Sequence, residues 1–375
     1  MQRIFLASIL LLVPVVWAMG EQAEIATGVI TSQDLFNTSM RGGVTCYRIP
    51  SLVTAPNGDL VAVIDERVAS CSDLGDNKDI NIVGRRSEDQ GMTWSDIQTI
   101  VDHPFGKSAS DPSMIVDRET GEIVLFYNFM DLDTEPGVYY LHMMKSADNG
   151  QSWSAPEDIT AQVTRPEWRE DFKFITSGRG IQTRSGVLLH TLVNLQKGLH
   201  VFGSRDHGKN WFLVDTPITP ADESKIVELA DGGWMINSRV KGKGMRYVHV
   251  SHDQGVTWQT SPEPALIDPA CNAAFIRYTV VEDGYDKNRL LFSNAMSKEH
   301  RENLAVRISY DEGKTWSEGK TIYPGISAYS SMTVLANGDI GVLFEKDDHK
   351  ENRFVRFSLE WLTDGKDHYK APKKQ

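Results

Sequence analysis

One eight-residue pattern occurs five times in this chain, and it constrains the fold more than any other feature. The pattern is Ser-x-Asp-x-Gly-x-(Thr/Ser/Asn)-Trp, first seen as Ser87-Glu88-Asp89-Gln90-Gly91-Met92-Thr93-Trp94. It returns at Ser146 to Trp153, Ser204 to Trp211, Ser251 to Trp258 and Ser309 to Trp316, so the tryptophans stand 59, 58, 47 and 58 residues apart. An Asp and a Gly two residues apart make a tight turn, because Asp accepts from nearby backbone N–H groups and Gly takes positive φ without a Cβ penalty. The Trp then seals the turn, so each copy reads as the tip of a β-hairpin.

A second hairpin pattern falls between these boxes. Runs rich in Val, Ile, Leu, Phe and Tyr flank short polar turns in Ser51–Glu66, Ser113–Phe129, Gly180–Val193, Lys225–Arg239, Phe275–Ala295 and Ser331–Lys346. Turns such as Pro56-Asn57-Gly58-Asp59 and Ala336-Asn337-Gly338-Asp339 carry hairpin chemistry. Two hairpins per repeat give four strands, in six units of about 59 residues, and four-stranded units at this period are propeller blades. The expected fold is all-β: a six-bladed β-propeller of four-stranded antiparallel blades. The last unit lacks a box and shows three strand-like runs, so a strand from residues 24–31 is expected to complete it. The domain reading is a signal peptide at 1–20, one catalytic propeller domain at 21–365 and a flexible Lys-rich tail at 366–375.

The leader expectation rests on Arg3 followed by an apolar run from Ile4 to Trp17, a length that suits an h-region rather than a bilayer span. It implies a secreted or periplasmic protein without membrane insertion. Net charge is −12, from 39 basic and 51 acidic residues, which argues against nucleic acid as a partner. The three cysteines, Cys46, Cys71 and Cys271, have no metal-ligand spacing, and the ten histidines are scattered; no metal and no cofactor is expected. Whether Cys46 and Cys71 pair stays open.

Blade topology places the start of each innermost strand and the end of the next at one mouth of the axial channel, with the boxes at the other side. The residues brought to that mouth are unusual. Before the inner strands come Tyr47-Arg48-Ile49-Pro50, Ser110-Asp111-Pro112, Ala221-Asp222-Glu223 and Ala328-Tyr329-Ser330; after the second strands come Arg67 with Asp73, then Arg239, His300-Arg301 and Glu345. Three arginines from separate blades suit one substrate carboxylate, which the guanidinium fork matches at any working pH.

At these residues the chain resembles the bacterial exo-sialidases of the retaining Asp-box family. The carriers are Tyr47-Arg48-Ile49-Pro50, the five boxes, Glu223 to Gly232 running into Asn237-Ser238-Arg239, and Arg301 and Tyr329 on either side of the fifth box. The resemblance implies that Arg48, Arg239 and Arg301 hold the sialic acid carboxylate, that Tyr329 is the nucleophile and that Glu223 is the base activating it. It implies Asp73, on the loop after Arg67, as general acid and base; Glu345 as the carboxylate orienting Arg48; and Arg67 and Asp111 as further pocket residues. Glu228 competes with Glu223, and Asp76 and Asp79 compete with Asp73. For an acetamide pocket the candidates are Met130, Tyr139 and Tyr140.

Chemistry agrees with a tyrosine in that role. Sialic acid carries a carboxylate on its reacting carbon, and an anionic nucleophile would be repelled there at short range. A neutral phenol whose proton passes to a base avoids that repulsion. The expected activity is therefore removal of terminal α-linked sialic acid from glycoproteins, glycolipids and oligosaccharides, by a monomer. The rival readings are a non-catalytic propeller binding acidic glycans and a hydrolase of a related acidic sugar, such as a deaminated sialic acid or a uronic acid.

Overall fold

The computed structural model describes residues 24–373, so the expected leader lies outside the described residues. The chain is all-β, with two four-residue α-helices, Thr160–Val163 and Leu359–Leu362, as its only α-helical segments among the described residues. Four consecutive antiparallel strands, Cys46–Thr54, Leu60–Arg67, Ile80–Ser87 and Gln98–Val101, form the first sheet. A second begins with Lys107–Val116, Ile123–Asp131 and Tyr140–Ser146, a third is centred on Leu188–Asn194 and Gly198–Ser204, and a fourth runs from Ser224–Glu228 to Gln259–Ile267.

The remaining strands form one seven-stranded sheet, joined through the long strand Lys320–Val334. Its first part, through Ile326, pairs with Glu302–Ser309, and its second part, from Ser327, pairs with Ile340–Lys346. The sheet thus divides into two four-stranded parts. The second part is completed by Thr31–Asn37, antiparallel to Glu351–Phe357. The expected closing strand at 24–31 is therefore displaced: residues 24–30 form turns and coil, and pairing starts only at Thr31.

Each box occupies the turn between the third and fourth strands of its unit, and the hydrogen bonds explain its composition. Asp89 Oδ1 accepts from the Met92 and Thr93 amides at 3.0 and 2.8 Å, and Ser87 Oγ accepts from Gly91 N at 2.7 Å. Gly91 has φ +85°, and a Cβ there would lie 2.3 Å from the Phe354 ring, so only Gly fits. These bonds push the Asp89 carboxyl down to about 2, led by the one from the Thr93 hydroxyl.

The core is layered between neighbouring units. Val53, Val61 and Val63 pack on Met114 and Leu125; Phe126 and Leu141 on Leu188 and Phe202; Leu199 and Val201 on Ile226 and Ile236. Val227 and Met235 pack on Phe275 and Phe292, and Leu291 and Val306 on Val342 and Phe344. The sixth layer joins Leu335, Leu343 and Phe354 back to Leu52, Leu60 and Ala62. Strands buried on both faces read as continuous apolar runs, which is why Leu60-Val61-Ala62-Val63-Ile64 is apolar without alternation.

One further expectation is corrected. The Gly180–Val193 hairpin has a broken first arm: Lys173–Ile175, Gly178–Arg179 and Ile181–Gln182 are separate short strands, with Gly178 at φ +102°. Beyond Asp364 the chain keeps contacts through Asp367, Tyr369 and the Lys373 amide, which donates to the Gly284 carbonyl. Asp367 is buried against Arg289 and Lys287, and the Tyr369 ring lies over Gly338 and beside Tyr278.

Candidate active site

Three inner strands share one irregularity, and it builds the site. Pairing skips two residues between Arg48 and Ser51, between Ser110 and Ser113, and between Ser327 and Ser330. The bulged residues are Ile49-Pro50, Asp111-Pro112 and Ala328-Tyr329. Proline lacks the N–H that a ladder needs, so two of the bulges fall on it. Ile49 and Asp111 take φ +66° and +61°. Bulges re-aim side chains, and here they turn Asp111 and Tyr329 into a common cavity.

Two buried carboxylates hold the bulges in place. Glu345 accepts from Ile49 N at 2.9 Å, from Tyr329 N at 3.0 Å and from Arg48 Nε at 3.1 Å, tying the first unit to the last. Burial opposes its ionisation, but Arg48 and His349 outweigh that and hold its carboxyl well below the usual range. Asp65 does the same between the first and second units. It accepts from Ser110 Oγ at 2.6 Å, Asp111 N at 2.9 Å and Arg67 Nε at 3.2 Å. Sequence reasoning missed Asp65; the signal was the acidic pair Asp65-Glu66 closing the otherwise apolar strand Leu60–Arg67.

Around Tyr329 the expected residues converge. Its hydroxyl donates to both Glu223 oxygens at 2.7 and 2.8 Å and accepts from an Arg239 terminal nitrogen at 3.1 Å. Arg239 is ion-paired with Glu223 and lies 3.4 Å from Asp222. The Arg48 and Arg301 guanidinium carbons lie 5.4 and 5.5 Å from the centre of the Tyr329 ring. Three arginines from three units thus surround one phenol, as the topology predicts. Burial raises the Tyr329 hydroxyl well above its ordinary value; Glu223 adds to this, and Arg239 and Arg48 oppose it. The phenol is therefore neutral at rest and has one acceptor for its proton.

Asp73 stands at the rim, just before the short 3-10 segment Leu74–Asp76, with its side chain 80% exposed. Its Oδ1 accepts from Arg67 at 2.8 Å and from Arg48 at 3.4 Å. Burial works against ionisation, but these arginines prevail and hold the carboxyl below the ordinary Asp value. Cys46 and Cys71 form a disulfide, which pins this loop to the strand that carries Arg48. Asp76 is exposed, Asp79 is half-buried, and neither lines the cavity.

The cavity, about 170 Å³, is lined by Asp73, Asp111, Glu223, Arg239 and Tyr329 on its polar side and by Tyr139, Phe172 and Leu195 on its apolar side. Burial and the neighbouring Asp65 raise the Asp111 carboxyl well above its ordinary value. Of the acetamide-pocket candidates, Tyr139 lines the cavity, Met130 packs behind it and Tyr140 donates to Glu135 instead. Glu228 is not in the site: it accepts from Arg184 N at 2.8 Å at the far end of its strand. Phe172 and Leu195 carried no sequence signal, since they reach the rim from the connections flanking the broken third inner arm.

An all-β chain whose Asp-box turns recur between third and fourth strands, with a tyrosine–glutamate pair ringed by arginines, defines a class. Residues 58–342 match the BNR repeat-like domain, and the chain belongs to that family. Within it the similarity is to sialidases. The Sialidase of Micromonospora viridifaciens is 36% identical over 360 residues, covering 88% of this chain and 54% of the relative. The Sialidase of Bacteroides fragilis (strain YCH46) is 30% identical over 328 residues, covering 80% of this chain and 60% of the relative. The chain thus spans little more than half the length of these two relatives. Among solved structures, the Hadza microbial sialidase Hz136 superposes with a TM-score of 0.76 at 28% identity, covering 85% of this chain and 67% of that one.

Proposed function

We propose that this protein is an exo-α-sialidase that hydrolyses terminal α-linked sialic acid from glycoconjugates with retention, through a covalent tyrosyl intermediate. The observation that carries the reading is the neutral Tyr329 phenol, hydrogen-bonded to Glu223 and placed between Arg48 and Arg301. The sialidase relatives support the substrate class.

In this reading Arg48, Arg239 and Arg301 take the sugar carboxylate, and Glu345 keeps Arg48 aimed. Asp73, supported by Arg67, gives its proton to the glycosidic oxygen as the bond to the reacting carbon breaks. Tyr329 Oη bonds to that carbon and its proton passes to Glu223. Water, deprotonated by Asp73, then attacks the same carbon, and Glu223 returns the proton to Tyr329. Two inversions give net retention. Asp111, in the cavity lining, hydrogen-bonds a sugar hydroxyl or amide group.

The fold we propose is a closed six-bladed propeller. Its support is the series of six apolar layers, the last of which joins the final unit to the first, and the division of the seven-stranded sheet at Ile326. We further propose export by the N-terminal leader, action on sialylated glycans outside the cytoplasm, and a monomer that engages neither nucleic acid nor membrane. Turnover of a 4-methylumbelliferyl sialoside by the mature chain, measured beside Tyr329→Phe, tests the activity. Fluorophore release lost in the variant supports it, and a folded wild type without turnover excludes it.

A further inference from the structure

A second cavity opens at the other end of the inner strands. Residues 49 to 54, 111 to 116, 223 to 228 and 329 to 334 each run from the candidate active site to this second opening. Five residues of strand put roughly 16 Å between the two. Buried Lys225, Ser51 and Ser331 lie between them. The cavity measures about 370 Å³ and is lined by four arginines, Arg118, Arg179, Arg184 and Arg277, against two carboxylates, Glu228 and Asp283. In a chain of net charge −12 this is a local concentration of positive charge.

The four arginines differ in what they hold. Arg277 is forked onto Glu312, and Arg184 sits 3.6 Å from Glu228. Arg118 and Arg179 have no carboxylate within ion-pair distance among the described residues. Arg118 donates to the Gln182 side chain and to the carbonyls of Gln182 and Thr183. Arg179 donates to the Met332 carbonyl at 3.0 Å, while its Nε is buried with no hydrogen-bond partner. Burial, with repulsion from Arg118, pushes the Arg179 guanidinium down to about 10. Arg179 is half-buried, and a cation held out of water without a carboxylate partner is costly to keep. Gly178–Arg179 pairs parallel with Ser113 and Met114, and the Arg179 side chain reaches across to the Met332 carbonyl of the last unit.

We propose that this second cavity binds a small oxyanion, a carboxylate or a phosphate, held by Arg179 and Arg118 and independent of the three arginines around Tyr329. The anion supplies the charge that Arg179 lacks, and the site faces away from the candidate active site.

Calorimetric titration with inorganic phosphate and, separately, acetate tests this on the wild type, Arg179→Met, Arg118→Gln and Arg301→Ala. Binding that survives in Arg301→Ala but weakens about tenfold or more in Arg179→Met is the expected result, from loss of a charge-assisted contact. The phosphate and acetate arms show which oxyanion the cavity prefers. Without added anion, Arg179→Met is expected to melt no lower than the wild type, since the uncompensated charge has gone, and to keep its sialoside turnover. If Arg179→Met does not fold, Arg118→Gln decides by weaker binding. Affinities unchanged in the cavity variants, or binding abolished by Arg301→Ala alone, overturn the proposal.

Discussion

The Tyr329 hydroxyl donates to both carboxylate oxygens of Glu223, at 2.7 and 2.8 Å, across 106 residues of sequence. Neither group has another route for that proton: the remaining close partner of both is Arg239, which only donates. A phenol held neutral by burial becomes a nucleophile only as its proton leaves, so the pair acts as one unit.

Glu223→Gln is expected to lower kcat by about 10²- to 10⁴-fold, the usual worth of a positioned base. The amide preserves the shape of the pair, so thermal stability should change little. Steady-state kinetics and a melting curve on the same preparation check this; a loss below about tenfold would remove Glu223 from the role.

On the proposed mechanism Glu345 acts as a positioning residue, through Arg48. Glu345→Ala leaves Arg48 without its buried partner and the Ile49 and Tyr329 amides without an acceptor, and breaking a buried pair costs about 3–5 kcal/mol. Glu345→Gln keeps an acceptor for the amides and should recover much of the stability. Its KM should still rise more than its kcat falls, because Arg48 loses its aim. Equal effects of Ala and Gln on both stability and KM would contradict this.

On the proposed mechanism Asp73 sets the pH dependence. Burial opposes its ionisation, but Arg67 and Arg48 hold its pKa below the ordinary Asp value, so the proton-donating form grows scarcer as pH rises through the carboxylate range. The kcat/KM for a sialoside with a poor leaving group should therefore fall from acid toward neutral pH. Asp73→Asn should flatten that limb while lowering the rate throughout. A limb that persists in Asp73→Asn assigns it to another group.

The Cys46–Cys71 bond closes a loop across a separation of 25 residues and tethers the Asp73 segment. Chain-entropy arguments give such a loop about 3–4 kcal/mol. Cys71→Ser should lower the melting temperature accordingly and reduce kcat beyond what stability explains at a temperature where the protein stays folded. Unchanged kcat in folded Cys71→Ser would show that the tether serves stability alone.

How much of this was legible in the sequence depended on whether the cause was local. Asp89, Gly91 and Trp94 form their turn within eight residues, so the boxes and the hairpins between them could be read directly. Arg48, Glu223 and Tyr329 could be placed at one mouth because strand direction alternates predictably. The bulges were half visible: Pro50 and Pro112 mark two of them, while Ala328-Tyr329 carries no such mark. Asp65 was hidden because two of its partners, the Ser110 hydroxyl and the Asp111 amide, lie on the next unit, 45 and 46 residues away. The packed segment around Asp367 looked like a solvated Lys-rich tail because its partner Arg289 is 78 residues away. The first strand was misplaced by several residues, since its register is set by Arg356 and Val355 rather than by its own composition.

The central claim is covalent chemistry at Tyr329, and trapping tests it most directly. The wild type is incubated with a 3-fluoro-sialosyl fluoride, whose electron-poor ring slows release of an intermediate, and then analysed by intact mass and peptide mapping. The account predicts one sugar equivalent on the peptide containing Tyr329, lost with time as activity returns, and no adduct in Tyr329→Phe. Turnover of ordinary sialosides with no adduct, or an adduct on Glu223 or Asp73 instead, would contradict it.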